Sequence, residues 1–167
     1  MKIISVLFVL VLLGTGTATA QWKKEGERKS VEGFGGHLLI IENPKAFIEE
    51  WQKPETPNIK PVSEAKRGDL LGGIVLFAGC KPDAQGNCNA EVDYAVYKPD
   101  GNLYAEEKGQ PLWKEQAPPA PNIQLSTAVL GIRIEENDPA GEYVVKAKLS
   151  DLNAHISFQL ETRFRVK

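Results

Sequence analysis

Several kinds of chemistry are closed to this chain for want of residues. Its one methionine is Met1, so a methionine-rich copper site is excluded. It has two cysteines, Cys80 and Cys88, and two histidines, His37 and His155. A zinc site needs more ligands than the cysteines, and only those histidines could add them. No G-x-S-x-G elbow, phosphate-cradling loop or H-E-x-x-H helix occurs. No block of like charge stands out, so the basic stripe of a nucleic-acid binder is missing.

What is present begins with a leader. Met1-Lys2 precedes "IISVLFVLVLL", an apolar run of eleven residues, and small and polar residues end in Ala18-Thr19-Ala20. A basic start, a short apolar centre and an A-x-A site predict a secretory signal peptide cleaved after Ala20. Eleven residues fall well short of the roughly 20 that span a bilayer as a helix. No second long apolar run follows, so no membrane span is expected. Residues 21–167 then carry 19 basic side chains (20 less Lys2) against 22 acidic ones, a net charge of −3. The expected location is the periplasm or the outside of the cell.

In that oxidising setting two nearby cysteines read as a disulfide. Thiol redox motifs space their cysteines by two residues, and here seven intervene. The loop "KPDAQGN" is built from turn residues. "DAQGNCN" has the oxygen side chains of a calcium loop but neither the D-x-D-x-D-G spacing nor the distal Glu. Cys80 and Cys88 are therefore assigned to a staple, and no metal or cofactor is expected. If 70–79 and 88–97 form a direct hairpin, Leu76 faces Val92 and Ile74 faces Tyr94. If they lie in opposite sheets, the bridge ties a corner.

Residues 21–36 are polar and Gly-rich without a period, which predicts a loose arm. "HLLII" (37–41) is a short strand. "NPKAFIEEWQ" is a short helix, with Asn43 as cap, Pro44 in the first turn, and Phe47, Ile48 and Trp51 on one face. Pro54, Pro57 and Pro61 leave room only for a linker or an edge strand. "LLGGIVLFAG" (70–79) is apolar on both faces and reads as a central strand covered on both sides. "AEVDYAVY" (90–97) alternates, "KPDGN" turns, and "LYAEE" returns. The stretch 105–121, with Pro111, Pro118, Pro119 and Pro121, has no sustained period and reads as a long connection. In "NIQLSTAVLGIRIEE" the apolar phase shifts, which suggests a bulge near Gly131.

The last strands carry the strongest signal. Tyr143, Val145, Ala147 and Leu149 alternate with polar residues. Ile156, Phe158, Leu160, Thr162, Phe164 and Val166 do so again, a period of two sustained over thirteen residues. Antiparallel strands at this spacing imply a β-sandwich.

"DPAGEYVVKAKLSD", followed by the amphipathic closing strand, resembles the end of bacterial immunoglobulin-like and fibronectin-type domains, over residues 57–167. The pattern "FAGCKPDAQGNC…YKPDG…LW…LSTAVLGIRI" also looks like small exported bacterial proteins without a characterised activity. The cysteines depart from antibody-type domains, because they flank one loop rather than join two sheets. The resemblance implies architecture and no active site.

The expected fold is all-β, a single antiparallel immunoglobulin-like β-sandwich with one short N-terminal helix. Residues 1–20 form the leader, 21–56 the arm, strand and helix, and 57–167 the sandwich. His37 and His155 read as isolated surface histidines. Glu49-Glu50, Glu106-Glu107 and Glu135-Glu136 are adjacent pairs that point apart, hence solvated. No catalytic residue is assigned. The expected function is an exported, non-catalytic module that binds a protein partner. Its alternatives are a carbohydrate-binding module, which needs an exposed Trp22, Trp51 or Trp113, and a hydrolase or metalloprotein whose site is assembled by folding. Leu112 and Trp113 are the candidate binding anchor, and the competing assignment makes Trp113 a plug in an open end of the sandwich.

Overall fold

The computed structural model describes residues 26–55, 57–119 and 122–167. The expected leader and Trp22 lie outside them. In chain order the elements are β1 (Arg28–Val31), β2 (Phe34–Glu42), α1 (Pro44–Trp51), β3 (Glu64–Ala65), β4 (Leu70–Ala78), β5 (Ala90–Tyr97), β6 (Leu103–Trp113), β7 (Gln124–Leu125), β8 (Leu130–Arg133), β9 (Gly141–Asp151) and β10 (Ile156–Val166). They form two five-stranded sheets that do not close into a barrel. The first runs β1-β2-β4-β7, with β8 on the same edge of β4 as β7. The second runs β3-β10-β9-β5-β6.

The period-of-two segments set the core. β9 and β10 pair antiparallel from Gly141↔Val166 to Asp151↔Ile156. Tyr143, Val145, Ala147, Leu149, Phe158, Leu160 and Phe164 point inward and are buried, while Ile156 is half-buried at the strand's start. Val92, Tyr94 and Val96 of β5 join them. Leu38 and Ile40 of β2, with Leu71, Val75 and Phe77 of β4, meet that layer from the first sheet. β4 is apolar on both faces because its other side, Ile74 and Leu76, packs in a second layer with Leu39, Ile41, Phe47 and Leu125. Asn43 caps α1 by accepting a hydrogen bond from the Ala46 N–H at 3.2 Å.

Several expectations are corrected. The Gly-rich arm is not loose where it is described, from residue 26: Gly26 O and Glu27 O accept from the N–H groups of Glu161 and Leu38. β1 and β2 form a hairpin, turned at Glu32 (φ 50°) and Gly33 (φ 89°). β2 then pairs with β4 over eight residues, so the first sheet begins upstream of the expected boundary at 57. Glycine hid this strand because it shows no apolar period. Gly36 faces the second sheet, where a Cβ would come within 2.5 Å of Leu149. Gly79, at φ 79°, ends β4 so close to the hairpin turn that a Cβ would overlap the Gly33 carbonyl.

The expected connection at 105–121 is a strand as far as Trp113. β6 is an edge strand, and an edge tolerates Pro111. Residues 115–117 are tied to the disulfide loop by the bonds Cys88 N–H to Glu115 O and Ala117 N–H to Gly86 O. The interruption expected near Gly131 lies earlier, between β7 and β8. There Thr127 and Ala128 donate to Leu112 O and Pro111 O across to the second sheet. β4 and β5 lie in opposite sheets, so the direct hairpin register is wrong and the bridge ties a corner. The second sheet is mixed rather than purely antiparallel, because β3 runs parallel to β10.

Candidate functional site

Helix α1 is too short to roof the first sheet. Eight residues extend roughly 12 Å, whereas the nine residues of β4 run roughly 30 Å. The helix lays Phe47, Ile48 and Trp51 over one half of the outer face. Over the other half lies a groove of about 760 Å³, at whose floor Leu39 and Leu76 keep only 4% and 8% of their surface exposed. Leu39 of β2 with Leu76 and Ala78 of β4 form this floor, and Gly35 leaves it without a side chain. Arg28, Lys29 and Ser30 of β1 border it, as do Ile59, Pro61 and Ile123. Ile123 is 61% exposed, a large apolar side chain held out in water.

His37 stands in this groove, half-buried. Its Nδ1 accepts a hydrogen bond from Arg28 Nε at 3.1 Å, and Glu27 Oε2 lies 4.0 Å from its Nε2. It is therefore not the isolated surface histidine that the sequence implied. His155 is exposed at the β9–β10 turn of the other sheet, with φ 58°. Among the described residues no group of three or more His, Cys, Asp or Glu could hold a metal ion.

Leu112 is fully buried and joins the main core. Trp113 is half-buried, with its ring 5.8 Å from that of Phe77 and its Nε1–H donating to Gln116 O at 2.9 Å. The Trp113 ring thus packs against the edge of the main core while keeping part of its surface exposed, and Leu112 has no free surface. Trp51 also packs, 6.0 Å from Phe47. Cys80 and Cys88 are bonded, with their Cα atoms 5.9 Å apart. The buried Asp151 carboxylate accepts from the N–H groups of Lys81, Asn153 and Ala154, which pins the corner to the end of β9.

A second polar cluster closes the other end of the second sheet. The buried Asp138 carboxylate accepts from the Tyr104 hydroxyl at 2.6 Å and from the Glu135 N–H at 2.7 Å. Lys98 Nζ lies 3.6 Å away, over the Tyr104 ring. Burial pushes this carboxyl's pKa up, but the two donors and the lysine outweigh it and hold it below the ordinary range. Tyr104 is raised, by burial first and then by the carboxylate it serves. Every partner here belongs to a turn or strand end, so the cluster fastens the 135–139 turn.

No single element announces the groove. Arg28, Leu39, Leu76 and Ile123 are distant in sequence, and the sheet order β1-β2-β4-β7 brings them together. One signal was available: "HLLII" is apolar on both faces, and the helix that follows is too short to cover two strands.

No protein-family model matches the chain, and no curated protein is similar to it in sequence. Solved structures share a β-rich arrangement at low identity. One is the Pseudomonas fluorescens alkylpurine DNA glycosylase AlkC bound to DNA with an abasic site analog, at 13% identity and TM-score 0.43, covering 81% of this chain and 30% of that one. Another is a family 123 glycoside hydrolase from Clostridium perfringens, at 11% and 0.40, covering 79% and 27%. A third is a CARDB domain from Pyrococcus furiosus in complex with di-metal ions, at 12% and 0.39, covering 83% and 93%. The chain thus spans less than a third of the first two. Likeness at this level brings neither activity nor substrate to this chain.

Proposed function

We propose that this chain is an exported, non-catalytic binding module of immunoglobulin-like sandwich build. It engages a protein partner through the half of the first sheet's outer face that α1 leaves bare. One observation carries the proposal. A groove floored by Leu39, Leu76 and Ala78 lies beside Ile123, the most exposed of the large apolar side chains among the described residues. Exposed apolar surface rimmed by polar groups marks a recognition surface. The disulfide corner supports export, since such bonds persist in oxidising compartments. Of the tryptophans a carbohydrate module could use, Trp51 and Trp113 pack against Phe47 and Phe77 rather than lie flat in water, which supports the protein reading; Trp22 is outside the described residues.

The test is capture from the native envelope with tagged mature chain. Ile123→Asp places a charge at the groove and removes no core contact. Gln159→Arg alters the exposed outer face of β10 in the second sheet. A partner held by the wild type and by Gln159→Arg but lost by Ile123→Asp supports the proposal. A partner retained by Ile123→Asp and lost by Gln159→Arg contradicts it.

A further inference from the structure

We propose that the folded chain cuts its own backbone at the Asp138–Pro139 peptide bond. The reaction is single-turnover, acts on no other molecule and is independent of the groove. This is the one Asp–Pro bond of the sequence. Such bonds are weak for two chemical reasons. The side-chain carboxylate can close a five-membered ring on its own peptide carbonyl, and that intramolecular approach replaces an encounter between separate molecules. The departing proline nitrogen is a secondary amine, which takes a proton readily.

The fold gathers the needed groups around this bond. The Asp138 carbonyl oxygen, where negative charge develops on attack, accepts from Arg67 Nη2 at 2.8 Å and from its Nε at 3.1 Å. Two donors of a fixed cation on that oxygen form an oxyanion site. Arg67 is anchored there by its Nη1, which donates to the Lys167 carbonyl at 3.1 Å. Within the carboxylate, Oδ2 takes the hydrogen bonds of Tyr104 and of the Glu135 N–H, while Oδ1 faces only Lys98 Nζ, at 3.6 Å. Oδ1 is therefore the oxygen left to act as nucleophile. Beyond the bond, the Tyr143 hydroxyl donates to the Pro139 carbonyl at 3.1 Å. Asp138 is buried and Pro139 exposed, so solvent reaches the leaving nitrogen while the nucleophile is kept dry. Fastening the turn uses the Asp138 side chain. The doubled bond to its carbonyl is the additional feature, and it lies on the atom that the reaction charges.

The step is an acyl transfer followed by hydrolysis. Oδ1 attacks the Asp138 carbonyl carbon, and the oxyanion forms against Arg67. As the carbonyl re-forms, the C–N bond breaks and its electron pair goes to the Pro139 nitrogen, which takes a proton from solvent. The cyclic anhydride left on Asp138 adds one water. That addition gives a free carboxyl group at the new C-terminus and restores the side chain. Lys98 is an ammonium in mild acid and does not compete for the anhydride. The piece from Pro139 onward carries β9 and β10, which stay paired with each other and with β5 and packed in the core, so the cut leaves the fold assembled.

The test holds mature protein at about pH 5, where an aspartate of ordinary pKa, about 3.9, is ionised. One sample is folded and one is kept unfolded in concentrated urea, and both are read by denaturing electrophoresis and intact mass. The folded protein is expected to yield pieces ending at Asp138 and beginning at Pro139, at least about tenfold faster than the unfolded chain, since only the fold supplies the oxyanion site. Their summed mass should exceed the parent's by one water. Arg67→Gln should slow the folded reaction about 100-fold and leave the unfolded rate unchanged. Pro139→Ala, which keeps Arg67 and the Asp138 carboxylate, should stop it. Circular dichroism checks that each variant is folded, and if Arg67→Gln is not, the two wild-type samples decide alone. Folded protein that stays intact, that is cut no faster than the unfolded chain, or that is cut as fast with Arg67→Gln as without it overturns the proposal.

Discussion

The Tyr104 hydroxyl donates to Asp138 at 2.6 Å and also lies 2.7 Å from the Arg133 carbonyl. A residue of edge strand β6 in the second sheet thereby holds the turn that leads out of β8 in the first. The carboxylate is ionised for this role, and its pKa is held below the ordinary value by the Tyr104 and Glu135 donors and by Lys98, against the opposing effect of burial. A depressed carboxyl pKa stabilises the fold above the unfolded value of about 3.9, and that contribution is lost as pH falls through the folded value. Asp138→Asn should therefore lower Tm at pH 7, and the gap to wild type should shrink as pH drops below about 4. Thermal scans at pH 7 and pH 3 check this, and a gap that widens in acid contradicts it.

Removing only the donor isolates the hydrogen bond. Tyr104→Phe leaves Asp138 buried and ionised with one partner fewer. It should cost about 1.5–3 kcal/mol at pH 7, the range for a hydrogen bond to a charged group, measured by urea unfolding.

Phe158 anchors the contact between the sheets, with its ring 5.4 Å from that of Phe34. Phe158→Ala should cost about 3–5 kcal/mol in the same assay, as an emptied core site does. A loss below about 1 kcal/mol would mean that this face of β10 is not core.

The staple should be complete in exported protein, so thiol labelling of native material should find no free cysteine. The double variant Cys80→Ser/Cys88→Ser should lose about 2–3 kcal/mol on the chain-entropy model of a short loop. It should still fold, because the Asp151 bonds to Lys81, Asn153 and Ala154 hold the same corner.

Trp113→Ala should lose about 2–4 kcal/mol, somewhat less than a fully buried tryptophan, because the ring is half-exposed. Below its melting range the variant should capture the same partner as the wild type. A normal melt with lost capture would restore Trp113 as an anchor.

What the sequence made legible follows from local periodicity. β9 and β10 alternate over long runs, α1 begins at an Asn-Pro cap, and β4 is apolar on both faces, so each was readable alone. The β1–β2 hairpin was not, because Gly35 and Gly36 carry no hydropathy at the positions where the period would show. β6 was missed past Glu107, because Lys108, Gly109 and Pro111 look like a break and are tolerated on an edge strand. The break between β7 and β8 was legible as a phase shift but misplaced. Its cause is a switch of hydrogen-bond partner from Val75 at Ser126 to Leu112 and Pro111 at the next two residues, which lies outside local sequence. The groove was hidden for a similar reason. Its parts come from β1, β2, β4 and the segments before β3 and β7, and only the sheet order joins them.

The central claim is that the open half of the first sheet's outer face meets the partner. Photo-crosslinking in the intact envelope measures this directly, with a photoreactive residue placed at Ile123, at Ser30, or at Ser157 and Gln159 on the exposed face of β10. The account predicts one common crosslinked species from Ile123 and Ser30 and none from Ser157 or Gln159. Crosslinks from Ser157 and Gln159 alone would place recognition on the second sheet and contradict it.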